Sequence, residues 1–142
     1  MTMPTFEEHR YKCNAAREAQ LTLQAKDSSE HADWIVITAF YQALHRIDAF
    51  FALDNNFHPL RHGITHNQEG EVIDPGRNLA VKRHKDLAQV RNNYANLYDA
   101  SCYARYQSGT YQYYPDEVRG LLEIDLAAID DHVNALIGRY HD

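Results

Sequence analysis

Apolar residues recur three and four positions apart along most of this chain, the spacing of a buried helical face. Phe6, Cys13, Ala16, Ala19 and Leu23 form the first such stripe. Thr5 and Glu8 stand before it as a capping box, so a helix is predicted over residues 5–26. Trp34, Ile37, Tyr41, Leu44 and Phe51 form a second stripe, widened by Ile35, Phe40, Ile47 and Phe50. A stripe that broad marks a central helix with several neighbours, predicted over 30–54 with Ser28 or Ser29 as its N-cap. Leu87, Val90, Tyr94, Leu97, Ser101 and Ala104 make a third stripe within 77–106, where a break is expected near Lys85 and Asp86. Val118, Leu122, Leu126, Ile129, Val133, Leu136 and Tyr140 make the fourth, predicting a helix from Asp116 to Arg139 whose Asp116 and Glu117 suit a positive N-terminal end.

Glycine and proline punctuate the same scheme. None occurs from Thr5 to His58 or from Arg77 to Ser108, whereas residues 59–76 hold Pro59, Gly63, Gly70, Pro75 and Gly76. No segment alternates in the manner of a strand. The expected fold is all-α, a single domain over 1–142 built as a four- to five-helix up-down bundle with one long connection at 55–76. A connection of that length in a compact domain is often functional.

Composition narrows the class without naming a function. At 142 residues, 44% apolar and 24% charged, the chain can bury an ordinary core, which excludes disorder and low complexity. No apolar run is long enough for a transmembrane helix, so no membrane association is expected. The N-terminus lacks the basic and apolar regions of a signal peptide. Cys13 and Cys102 have no CxxC spacing and fit a reducing cytoplasm, both as small apolar residues. The net charge of -6 disfavours unspecific coating of nucleic acid. Its distribution is uneven: residues 77–105 hold six bases and two acids, residues 116–142 seven acids and two bases. One part of the molecule can therefore attract anions while the whole stays acidic.

Some polar residues fall where apolar ones are expected. His45 and Asp48 share a face of the second helix one turn after Tyr41, and Ser101 and Arg105 are a turn apart on the third. A buried carboxylate needs a partner. Asp48 and Arg105 are the natural interhelical pair, with Tyr41, Tyr94 or Ser101 completing a network that either fixes helix register or lines a pocket. His58, His62 and His66 stand at i, i+4 and i+8, but Pro59 and Gly63 interrupt a helix there. Without ExxH or HExxH patterns, a His-ligated metal centre is the least favoured reading. No metal and no cofactor are expected. Seven of the ten tyrosines lie between Tyr94 and Tyr114, and Tyr111, Tyr113 and Tyr114 offer a surface suited to base stacking or a protein interface.

Two Arg–His pairs have the spacing of a helical ribonuclease motif: Arg61 to His66, and Arg77 to His84 with Asn78 beside the arginine. About two such spacings are expected by chance from ten arginines and nine histidines, so spacing alone carries little weight. The chemistry is nonetheless coherent. A neutral imidazole can take the 2′-hydroxyl proton, and a guanidinium can hold the charge of the phosphorane.

Three blocks, Phe40-Tyr41-Gln42-Ala43-Leu44-His45-Arg46-Ile47-Asp48-Ala49, His58-Pro59-Leu60-Arg61-His62, and the segment from Tyr94 to Tyr106, together resemble small bacterial HEPN-like helical proteins. The resemblance spans residues 30–106. It implies a bundle of four or five helices, a homodimer, and paired sites near the dimer cleft. Some HEPN members are metal-independent ribonucleases, many of them toxins; others are non-catalytic modules that bind a nucleotide or a protein partner. Carried onto this chain, the resemblance makes His84 the base, Arg77 the phosphate-binding cation and His62 an assistant. The later segment departs from the pattern, with Asn96 where a histidine would complete a motif begun at Arg91. The favoured expectation is therefore a non-catalytic module using Tyr41, His45, Asp48, Tyr94, Ser101 and Arg105, with the toxin-like, RNA-cleaving enzyme as the alternative.

Overall fold

A computed structural model describes residues 4–25, 31–54, 65–66, 68–74, 76–106 and 115–140. Its elements run α1 (Phe6–Ala25), α2 (Ala32–Leu53), β1 (Thr65–His66), β2 (Val72–Asp74), α3 (Gly76–Arg83), a 3₁₀-helical segment (Lys85–Val90), α4 (Arg91–Tyr106), α5 (Pro115–Gly120), a π-helical segment (Leu121–Leu126) and α6 (Ala127–Tyr140). The architecture is an all-α bundle. No strand was expected, yet residues 65–74 hold a short antiparallel ribbon with Thr65 opposite Asp74 and His66 opposite Val72. Two and three residues are too few for alternation to register as a pattern. Gly70 and Gly76 allow the chain to turn there, both at positive φ.

Helix boundaries follow local chemistry. Thr5 Oγ1 accepts the backbone N–H of Glu8 at 3.2 Å, so the expected cap opens α1. At α2 the N-cap is His31, whose side chain makes no cap bond; Ser28 and Ser29 lie outside the described residues. The break expected near Lys85 falls at His84, where extended backbone ends α3 and the ring Nδ1 accepts the N–H of Asp86 at 3.2 Å.

The core forms around α2, which is why its stripe is so wide. Phe40, Ile47, Phe50 and Phe51 are fully buried, packed with Leu87, Leu97, Ile129 and Val133 from the later helices, and the equally buried Ile35 packs with Val36 and Val118 in a second cluster. A buried side chain of this size contributes roughly 1.5–3 kcal/mol. Three stripe assignments are corrected, one of them Tyr140 at the end of the fourth stripe, which is 51% exposed. Trp34, placed in the core by spacing, is 60% exposed, because it lies with Thr38, Tyr41 and His45 on a flank at the edge of the buried face. On α1 the buried residues are His9, Cys13 and Gln20, and Ala19 is exposed. The true stripe is thus Phe6, His9, Cys13, Ala16, Gln20 and Leu23, in strict 3-4-3-4-3 order with two polar members.

Candidate functional site

Those two polar residues face polar partners on α2. Gln42 donates to Gln20, which donates to Gln24 at 2.8 Å. Further along, His9 Nδ1 lies 3.2 Å from His45 Nδ1. The ring of Tyr41 stacks on His45 with centroids 6.4 Å apart. One turn on, Asp48 is 2% exposed and holds the guanidinium of Arg77 in a bidentate pair, Nε to Oδ1 and Nη2 to Oδ2 at 2.7 Å each. Burial lowers the pKa of His45 to about 4, with His9, Lys12 and Arg77 adding to the effect and Asp48 opposing it. The ring is therefore neutral at pH 7.

The partner of Asp48 corrects an expectation: the arginine is Arg77 of α3 rather than Arg105 of α4. Gly76 starts α3 with Arg77 already turned to the bundle, and the planar fork matches a carboxylate. Arg105 stays on its own helix, with Nε donating to Ser101 O at 3.3 Å and its guanidinium carbon 5.9 Å from the Phe40 ring centre. The buried Ser101 hydroxyl donates to Tyr98 O. Phe40 also meets the rings of Tyr94 and Tyr98, so Tyr94, Tyr98 and Arg105 gather around one phenyl ring.

His84 is equally engaged. Its Nε2 lies 2.7 Å from Asp54 Oδ2, while Nδ1 accepts from Asp86 N–H. An imidazole that accepts at Nδ1 carries its proton on Nε2 and gives it to the carboxylate. In that arrangement neither nitrogen offers a lone pair to a substrate hydroxyl. Arg77 and His84 are thus brought onto one short helix and its end, but each is buried against an aspartate, Asp48 of α2 and Asp54 at its C-cap. His62, with Arg61 and His58, lies outside the described residues, as do Tyr111, Tyr113 and Tyr114. His66 is placed in β1.

Beside this network, α3 and α4 enclose a pocket of about 370 Å³ lined by Asn78, Lys82, Arg91, Tyr94, Tyr98 and Asp99 among others. The hydroxyl of Tyr94 donates to Asn78 Oδ1 at 2.9 Å. Burial raises the Tyr94 pKa, keeping it a donor at any ordinary pH. Arg91 contributes a buried Nε that has no hydrogen-bond partner among the described residues. Sequence reasoning singled out Tyr94 but missed Lys82, Arg91 and Asn78 as pocket members. The excess of bases in 77–105 was the available signal, and it could not say which bases converge.

Comparisons with protein families, with curated proteins and with solved structures find no match to this chain. The structure itself defines the class: an all-α bundle with internally paired polar residues and a cationic pocket on the α3–α4 side. Among the described residues no helix is long and apolar enough to cross a membrane.

Proposed function

We propose that the chain is a non-catalytic HEPN-like module that binds a mononucleotide in the α3–α4 pocket and works as a homodimer. The observation that carries this reading is Arg91, whose guanidinium stands in the pocket lining as a cation for an anionic ligand, while its Nε is enclosed by protein. Lys82 on the same wall adds a second cation for phosphate. Tyr98, half-buried and stacked on Tyr94 with centroids 6.4 Å apart, offers a ring for a base. Asp99 supplies an acceptor for sugar hydroxyls. A volume of about 370 Å³ is within the range of small-ligand pockets.

The ribonuclease alternative asks Arg77 for a free guanidinium face and His84 for a free lone pair. Both are engaged with aspartates and backbone, so binding is favoured over cleavage.

The test is thermal unfolding of the full chain with AMP, ADP, ATP, GTP or inorganic phosphate, beside Arg91→Ala and Lys82→Ala. At ligand concentrations 100 times Kd the stabilisation is about 2.7 kcal/mol, several degrees in Tm. At least one nucleotide should raise Tm, and Arg91→Ala should remove the response. No response to any nucleotide, or an undiminished one in Arg91→Ala, overturns the reading. Sedimentation giving a strict monomer removes the dimer from it.

A further inference from the structure

We propose that His9, His45 and Asp48 form a binding site for a borderline transition-metal dication such as Zn²⁺, between α1 and α2. One ligand atom from each residue lies within 4.8 Å of the other two. The separation of the imidazoles is informative. Two nitrogens bound to one tetrahedral zinc at about 2.0–2.1 Å stand about 3.3 Å apart. His9 Nδ1 and His45 Nδ1 are 3.2 Å apart, so a zinc ion can bridge them with the rings scarcely moved.

The residues come from rigid elements rather than loops. His45 and Asp48 are one turn apart on α2, and His9 holds the second core position of α1 counted from its cap. His9 and Asp48 are buried and His45 is half-buried, so three protein ligands close one side and the His45 side admits water as a fourth. Arg77 fixes the Asp48 carboxylate through both oxygens, an outer-shell contact of the kind that orients metal ligands. Carboxylate oxygens carry about four lone-pair sites in all, so Asp48 can keep Arg77 and still turn a lone pair on the metal.

In the absence of metal one ring donates its Nδ1 proton to the other. Binding requires that ring to carry its proton on Nε2 instead, a change of tautomer with no change of charge. Lys12 and Arg77 stand close enough to be felt at His45 and oppose a dication, which sets the expected affinity in the micromolar class rather than the nanomolar.

The experiment is isothermal titration of the EDTA-stripped, dialysed full chain with Zn²⁺, backed by the visible absorption of Co²⁺ and its displacement by Zn²⁺. Nine histidines invite adventitious binding, so a control variant carries His58→Ala, His62→Ala and His66→Ala together. Wild type and the control should each bind one equivalent with the same affinity and show a Co²⁺ spectrum. His9→Ala and His45→Ala should each lose at least ten-fold in affinity, and the spectrum with it. Circular dichroism checks their folding, and His9→Leu keeps the volume of the core should His9→Ala fail to fold. No one-equivalent binding overturns the site. So does binding unchanged in folded His9 and His45 variants, or binding lost only in the triple control.

Discussion

Asp48 and Arg77 form the most consequential contact at the scale of single residues. They are 2% and 7% exposed, and each satisfies the charge of the other. Removing one partner leaves an uncompensated buried charge, which typically costs about 3–5 kcal/mol, whereas replacing both with apolar residues is often nearly neutral. Urea unfolding of Asp48→Asn should therefore show a loss of about 3–5 kcal/mol, and Asp48→Leu with Arg77→Met should recover at least half of it. A loss below about 1 kcal/mol would place the pair in solvent, against this structure. His45 makes a second residue-level prediction. Its unfolded ring takes up a proton near pH 6.5, the folded ring only near pH 4. Between those values the unfolded chain binds more protons, so the contribution of His45 is complete above pH 6.5 and stability falls as pH drops toward 4. The loss traceable to His45, discounted for the screening of a half-buried ring, is about 1–2 kcal/mol. Unfolding free energies at pH 7 and pH 4.5 in EDTA should differ less in His45→Gln than in wild type; equal pH dependence would contradict the burial argument.

Polar rungs set the register of α1 against α2 at the scale of elements. Gln20 and Gln42 are buried and bonded to each other. Gln42→Leu alone leaves the Gln20 amide without its donor and should cost about 1–3 kcal/mol, while Gln20→Leu with Gln42→Leu should fall near wild type. Calorimetric Tm values check both; a double variant worse than the single would show that the rung is not a pair. The same elements show what the sequence could reveal. Four apolar stripes located every long helix within a few residues, because burial against neighbours enforces the helical period. The stripe of α1 was misread at Ala19 because polarity disguises buried positions: His9 and Gln20 belong to the core only through partners on α2, and no one-dimensional pattern shows a partner. The Asp48 partner was misassigned for the same reason. That a buried acid needs a base was legible, but which arginine reaches it depends on where Gly76 starts α3. Where Leu121–Leu126 winds as a π-helix, Asp125 accepts from both Asn93 and Asn96 at 3.1 Å, a further interhelical tie invisible in the stripe.

At the scale of the whole molecule, charge segregates without making the protein basic. The acids of α5 and α6 lie on the C-terminal rods, and of the cations of α3 and α4, Lys82 and Arg91 line the pocket. Within the central network, Asp48 of α2 and Asp54 at its C-cap engage Arg77 and His84, the two groups that cleavage would need. In the pocket lining, Lys82 and Arg91 are, among the described residues, the cations the proposed anion would meet. The most direct test of that division is an amide NMR titration of the full chain with ADP. Shift changes should cluster at Asn78, Lys82, Arg91, Asn92 and Tyr98, with Arg77 and His84 unmoved and added single-stranded RNA left intact in EDTA. Changes centred instead on Arg77 and His84, together with RNA cleavage that a folded His84→Ala variant abolishes, would contradict it.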